Sequence, residues 1–356
     1  MKRILSIVAA GTMLAAISVF GFGCDSATAS EAGPDTPVEP EPGPEANPRV
    51  VVAYASSWTE AMPDPALVTH VNYAFGHVGD DFKSVRIDGE ERLRKIVAIK
   101  KTAPGLRVLL SVGGWGSGNF SEMAADASLR GAFSKNCRAT VDRFGLDGID
   151  IDWEYPGSST AGISSSKDDP ANFALLMSDL RAALGDGLLL TLASGCNAEG
   201  MNFKDFIDKV DLVNVMAYDM GYPPLLDAAL YRSGIGCWCS VDEAVSAHLG
   251  KGVPASKLVL GMPFYGRGVE PYESYGGFRR DLVLHEGCAL KWDETACEPY
   301  IVNAAGELVL TFENEKSIGL KCDYIIEKGL GGGMFWELGD DDAGQTLSHV
   351  VAGKLL

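Results

Sequence analysis

Three acidic residues, Asp150, Asp152 and Glu154, recur at every second position of the segment Gly148-Ile149-Asp150-Ile151-Asp152-Trp153-Glu154. Ile149, Ile151 and Trp153 alternate with them, so a strand here would have one carboxylate face and one apolar face. Carboxyl groups lined up on a buried face resist ionisation, because desolvation and mutual repulsion both favour the protonated form. Protons are then expected to be shared within the row, with at least one group still protonated near neutral pH. That is the property needed to protonate a departing oxygen, and Glu154, last in the row, is the candidate general acid. A calcium loop would place its oxygen ligands around a turn, which the apolar residues between these acids do not favour. No metal or other cofactor is expected. The five His are scattered, and Cys237, Cys239, Cys288 and Cys297 lack the spacing of structural zinc ligands.

A row of carboxylates needs a scaffold that turns it inward. Eight short apolar runs punctuate the chain: Val50–Tyr54, Val68–Phe75, Arg107–Val112, Gly148–Glu154, Leu188–Ala193, Leu212–Tyr218, Leu258–Phe264 and Gly333–Glu337. Helical patterns separate most of them, at Glu90–Lys101, Leu129–Phe144, Pro170–Leu184, Val241–Leu249 and Glu315–Lys328. Asp168 and Asp169 ahead of Pro170 read as acidic capping residues before a first-turn proline. Apolar strands alternating with helices imply parallel pairing covered on both faces. Eight such units predict an α/β fold, the (β/α)8 TIM barrel, occupying residues 49–356. Glu154 then falls at a C-terminal strand end, where barrel active sites gather. After the seventh strand the rhythm breaks. Leu282–Leu284 and Leu308–Phe312 read as strands, so a small β-rich insertion is expected over about residues 268–315.

The formal net charge of −18 disfavours nucleic acid and anionic membrane surfaces as partners, whereas a neutral polysaccharide meets no such repulsion. Lys2 and Arg3 precede an apolar run from Ile4 to Phe22, so residues 1–23 read as an export signal. Cys24 follows Gly21-Phe22-Gly23, a loose lipoprotein cleavage box, which makes it the candidate for lipidation. Ala27-Thr28-Ala29 offers a competing cleavage site. Residues 24–48, rich in Pro and Glu, read as an extended spacer. The expected product is an exported lipoprotein at the cell surface or outer membrane, or a secreted or periplasmic protein if the second site is used. Its one membrane contact would be the lipid, and a monomer is expected. With Cys24 set aside, an odd number of cysteines remains, of which Cys288 and Cys297 are close enough in sequence to pair.

The acidic segment resembles the D-x-x-D-x-D-x-E signature of glycoside hydrolase family 18, the chitinases. Asp147, Asp150, Asp152 and Glu154 match its four acids, and Tyr155-Pro156-Gly157 follows as is typical. Ser111-Val112-Gly113-Gly114 resembles the family's S-x-G-G, and Met216-Ala217-Tyr218-Asp219 its M-x-Y-D. Gly261–Arg267 and Met334–Glu337 are similar to the ends of its seventh and eighth strands. This resemblance implies hydrolysis of β-1,4-linked N-acetylglucosamine polymers with the substrate's own 2-acetamido group as nucleophile. Glu154 would then protonate the glycosidic oxygen, Asp152 would hold the acetamido N–H and Asp150 would share its proton. Tyr218 would donate to the acetamido carbonyl. Trp336 would lie under the reactive sugar and Asp219 would support the acetamide pocket. Met216, Tyr54, Phe75, Gly114, Trp115, Tyr265 and Arg267 are the further candidates for the substrate groove. Asp147, of opposite parity, is expected to support the start of its strand. Chitin or another N-acetylglucosamine-containing glycan is the implied partner. An endo-β-N-acetylglucosaminidase acting on N-glycans and a non-catalytic chitin-binding lectin are the alternatives.

Overall fold

The computed structural model describes residues 48–269 and 287–356. Eight parallel strands close a barrel: β1 (Val50–Ser56), β2 (His70–Val78), β4 (Arg107–Gly113), β5 (Gly148–Asp152), β6 (Leu189–Gly195), β7 (Leu212–Met216), β8 (Leu258–Pro263) and β13 (Gly332–Trp336). Closure comes from β1, which pairs with β13 on one side and β2 on the other. The (β/α)8 expectation is therefore met. These strands read as near-continuous apolar runs because a parallel sheet is covered on both faces. One face looks into the barrel. The other packs under α1 (Glu90–Ala98), α2 (Phe120–Ala125), α3 (Ala127–Phe144), α4 (Asp169–Leu184), α5 (Val241–Gly250), α6 (Glu315–Glu327) and α7 (Thr346–Leu355).

Several local features add to the sequence reading or depart from it. Between β6 and β7, where the sequence shows no helical pattern, the connection carries the two 3-10 turns Phe203–Asp205 and Ile207–Lys209. Asp168 makes no side-chain cap to α4. Asp169 is instead the buried acid, accepting from Ser121 Oγ (2.7 Å), Ser166 N (2.7 Å) and Gly157 N (3.2 Å). Short β3 (Val85–Ile87) adds antiparallel to β2.

After β8 the chain forms a separate antiparallel sheet from β9 (Arg267–Gly268), β10 (Ala289–Asp293), β11 (Glu298–Val302) and β12 (Leu308–Thr311), in the order β10-β11-β12-β9. This is the β-rich insertion expected after the seventh barrel strand. Leu282–Leu284 lies outside the described residues, as do the signal, Cys24 and the spacer up to residue 47. Cys297 carries a free thiol, so the Cys288–Cys297 bridge allowed by the sequence is not formed.

Candidate active site

The acidic segment forms β5, but the strand ends at Asp152, two residues before the sequence reading. Its neighbours explain why. The β4 ladder stops at Gly113 opposite Asp152 and the β6 ladder stops at Leu192 opposite Ile151. Past the ladders Gly114 N still donates to the Asp152 carbonyl oxygen (2.9 Å), and Glu154 sits in a bend at the barrel rim. The alternation nevertheless carries through. Ile149, Ile151 and Trp153 are fully buried in the outer core, with the Trp153 ring stacked on Phe120 (centroids 5.2 Å apart). Asp152 and Glu154 face a cleft of about 1000 Å3.

Asp150 lies one layer deeper and does not line the cleft. It is fully buried and saturated by four donors. Tyr54 Oη (2.8 Å) and Ser111 Oγ (2.7 Å) donate to Oδ2; Thr191 Oγ1 (2.6 Å) and Asn214 Nδ2 (3.2 Å) donate to Oδ1. Burial raises its pKa and these four bonds oppose the rise. Asp152 lacks such support, since its buried Oδ1 has no hydrogen-bond partner. Burial, then the charges of Glu154 and Asp150, hold its carboxyl well above the usual range. Burial is also the main reason that Glu154 is raised to about 7, with Asp219 adding to the rise and a hydrogen bond with Tyr155 opposing it.

The Gly-Gly pair after β4 makes room for this row. At Gly113, with φ of 135°, an added Cβ would lie 1.9 Å from the Asp152 carbonyl oxygen. At Gly114 it would lie 2.7 Å from the Phe75 ring. Close approach of backbone and ring leaves no space for a side chain.

Around the acids, Tyr54, Phe75, Gly114, Trp115, Met216, Tyr218, Asp219, Tyr265, Arg267 and Trp336 all line the same cleft. Trp336 stacks on Phe75 (5.6 Å, 22°) and tilts against Tyr54 (5.6 Å). Asp219 accepts from Tyr265 Oη (2.8 Å) and Arg267 Nε (2.8 Å), while the Arg267 guanidinium lies over the Tyr265 ring at 4.8 Å. Asp147 stays outside the cleft. It takes Lys100 Nζ (2.6 Å) and Val108 N (2.8 Å) at the start of β5.

Sequence reasoning missed Trp58, His77, Asp88, Cys196, Tyr222 and Trp238 in the cleft wall. Trp58 and Trp238 are more than 60% exposed, and Trp58 is positioned by Nε1 donating to Glu337 Oε1 (3.1 Å). A tryptophan two residues beyond a strand end, as Trp58 is beyond β1, was the available signal. Ser111, Thr191 and Asn214, the donors beneath the row, gave none, because each reads as an ordinary polar residue on a strand.

The family model for Glycosyl hydrolases family 18 matches residues 50–341. Chitinase A1 of Niallia circulans is 29% identical over 85% of this chain and 57% of its own length. Chitotriosidase-1 of Mus musculus is 32% identical over 82% of this chain and 73% of its own. A solved family 18 N-acetylglucosaminidase from Paenibacillus barengoltzii superposes with a TM-score of 0.78 at 33% identity, covering 86% of this chain and 100% of that one. The protein belongs to glycosyl hydrolase family 18. It is a glycoside hydrolase of the chitinase type.

Proposed function

We propose that the protein hydrolyses β-1,4-linked N-acetylglucosamine chains, chitin or its oligosaccharides, with retention and with the substrate's acetamido group as nucleophile. The observation that carries this is a proton-holding Glu154 at the cleft, with Asp152, the last residue of β5, lining the same cleft two positions before it. A two-carboxylate retaining enzyme would need the second acid across the sugar. Asp152 is badly placed for that, and Asp219 is engaged by Tyr265 and Arg267.

Glu154 gives its proton to the glycosidic oxygen as the bond to the anomeric carbon breaks, its electron pair staying on that oxygen. The acetamido carbonyl oxygen bonds to the anomeric carbon, forming a cationic oxazolinium. Tyr218 donates to that carbonyl oxygen and orients it. Asp152 takes the acetamido N–H. The four donors on Asp150 favour its carboxylate form, so the shared proton rests on Asp152 before substrate arrives and shifts as positive charge develops. Water then opens the oxazolinium while Glu154 takes its proton.

Incubation with chitohexaose tests the reading: shorter oligomers should appear with wild type and not with Glu154→Gln, while cello-oligosaccharides stay intact. Bound but uncut chitohexaose would favour the lectin, and glycan release from a high-mannose glycoprotein with chitohexaose untouched would favour the endo-β-N-acetylglucosaminidase. A further reading, release of single sugars from chain ends, draws support from the Paenibacillus enzyme matched over its whole length. Monosaccharide as the first product would select it.

We also propose that residues 1–23 direct export, that Cys24 carries the lipid and that residues 24–48 hold the catalytic domain away from the surface. The charged start, the apolar run and the Pro-rich stretch support this. Cys24→Ser should release the protein from the membrane fraction.

A further inference from the structure

Two thiols meet at the cleft wall and take no part in the chemistry above. Cys196 follows the last residue of β6 and lines the cleft; Cys239 precedes Ser240, the N-cap of α5. Their side chains are hydrogen-bonded to each other, and both pack half-buried against the main core. That bond, with help from the backbone N–H groups of Asn197 and Cys196, holds the Cys196 thiol below its ordinary range. The same bond pushes the Cys239 thiol up. One thiolate-prone cysteine touching one that keeps its proton is the pairing of an attacking and a resolving thiol.

Both thiols stand on anchored segments. Ser240 and Glu243 form a capping box, and Arg232 ties Glu243 (2.9 Å) to the carbonyl oxygens of Cys237 (2.6 Å) and Trp238 (3.1 Å). On the opposite side, Gly195 lies so close to Tyr155 that an added Cβ would be 3.1 Å from its ring, and Tyr155 adjoins Glu154. Trp238, 66% exposed, projects into the cleft beside Cys239. Cys237 belongs to a different cluster, with Leu226, Ala229 and Ala296.

We infer that Cys196 and Cys239 form a disulfide when the protein meets an oxidised disulfide, and that this bond clips the Trp238 segment to the barrel rim beside Glu154. The Cys196 thiolate attacks one sulfur of the oxidant and expels the other as a thiol. Cys239 then loses its proton and attacks the Cys196 sulfur of the mixed disulfide, expelling the second thiol. The protein gives up two hydrogens, and the oxidant leaves as two thiols. The oxidising setting rests on the proposed export, and the effect on turnover rests on the proposed hydrolysis.

The full chain, reduced and then exposed to oxidised glutathione, should yield on digestion a cross-linked peptide pair containing Cys196 and Cys239. Both cysteines still open to iodoacetamide, or Cys239 joined to Cys237 or Cys297, would overturn the pairing. Cys239→Ser should leave glutathione attached to Cys196. In wild type, reduction should raise KM for long chitooligosaccharides several-fold with kcat unchanged, and Cys239→Ser should show no such response. An unchanged KM in cross-linked and reduced wild type would overturn the clip. Absence of turnover in both redox states would instead sink the hydrolase reading, and the peptide result would still stand.

Discussion

The barrel mouth and the seam beneath the insertion both bury groups of carboxylates, and they balance them differently. At the mouth, Asp150, Asp152 and Glu154 form their row with no cation among the side chains bonded to Asp150. At the seam, Asp227, Glu298 and Glu313 are each at most 2% exposed, and so is Lys321, which pairs with Glu313. Burial raises all three seam acids, Glu298 to about 7, the level reached by Glu154. Lys321 pulls Glu298 and Glu313 back down, while Thr311 and Ala228 N donate to Glu298. A raised carboxyl is thus no catalytic signature by itself. The two sites differ in access: Glu154 and Asp152 open onto a cleft, and the three seam acids do not line it.

The comparison breaks most readily at the two ends of its scale. Glu154→Gln should cut kcat by about 10²–10⁴-fold, the usual worth of a positioned proton donor, with an unchanged circular dichroism spectrum. Lys321→Met should strand the seam acids and cost about 3–5 kcal/mol in urea unfolding. Its kcat per folded molecule should hold; a collapse of kcat in folded protein would mean that the seam also serves the reaction.

pH sharpens the same contrast. In the proposed mechanism Glu154 donates only while protonated, so kcat/KM in wild type should fall as pH rises through about 7. Linkage runs the same way. Between the ordinary carboxyl range and about 7 the folded state holds a proton that the unfolded state has lost, so stability declines as pH rises across that window. Glu154→Gln should flatten that part of the melting-temperature profile, and an unchanged slope would assign it to the seam acids. The smallest effect expected is that of Trp238→Ala, a few-fold rise in KM for long oligomers at constant kcat.

Much of this arrangement was legible in the sequence because periodicity encodes it directly. Alternation in Gly148–Trp153 assigned both faces of β5, and eight apolar runs located eight barrel strands. Strand ends were less legible: nothing in Trp153-Glu154 signals that both neighbouring ladders have already stopped. The donors on Asp150 come from β1, β4, β6 and β7, so they become neighbours only when the barrel closes. The seam was hidden for the same reason. Asp227, Glu298, Glu313 and Lys321 are individually unremarkable charged residues, and they are buried together only when the insertion meets both α6 and the segment between β7 and α5 that carries Asp227. Asp168 and Asp169 looked interchangeable ahead of Pro170, and only one of them turns inward.

That inward turn has a consequence for how the enzyme can be tuned. Asp169 opens α4 on the outer layer, yet it grips the amide of Gly157, three positions after Glu154. The outer helix therefore acts as a tether on the loop that presents Glu154. Changes in how α4 seats against its neighbours, far from the cleft, should tilt Glu154, the proposed donor, within it.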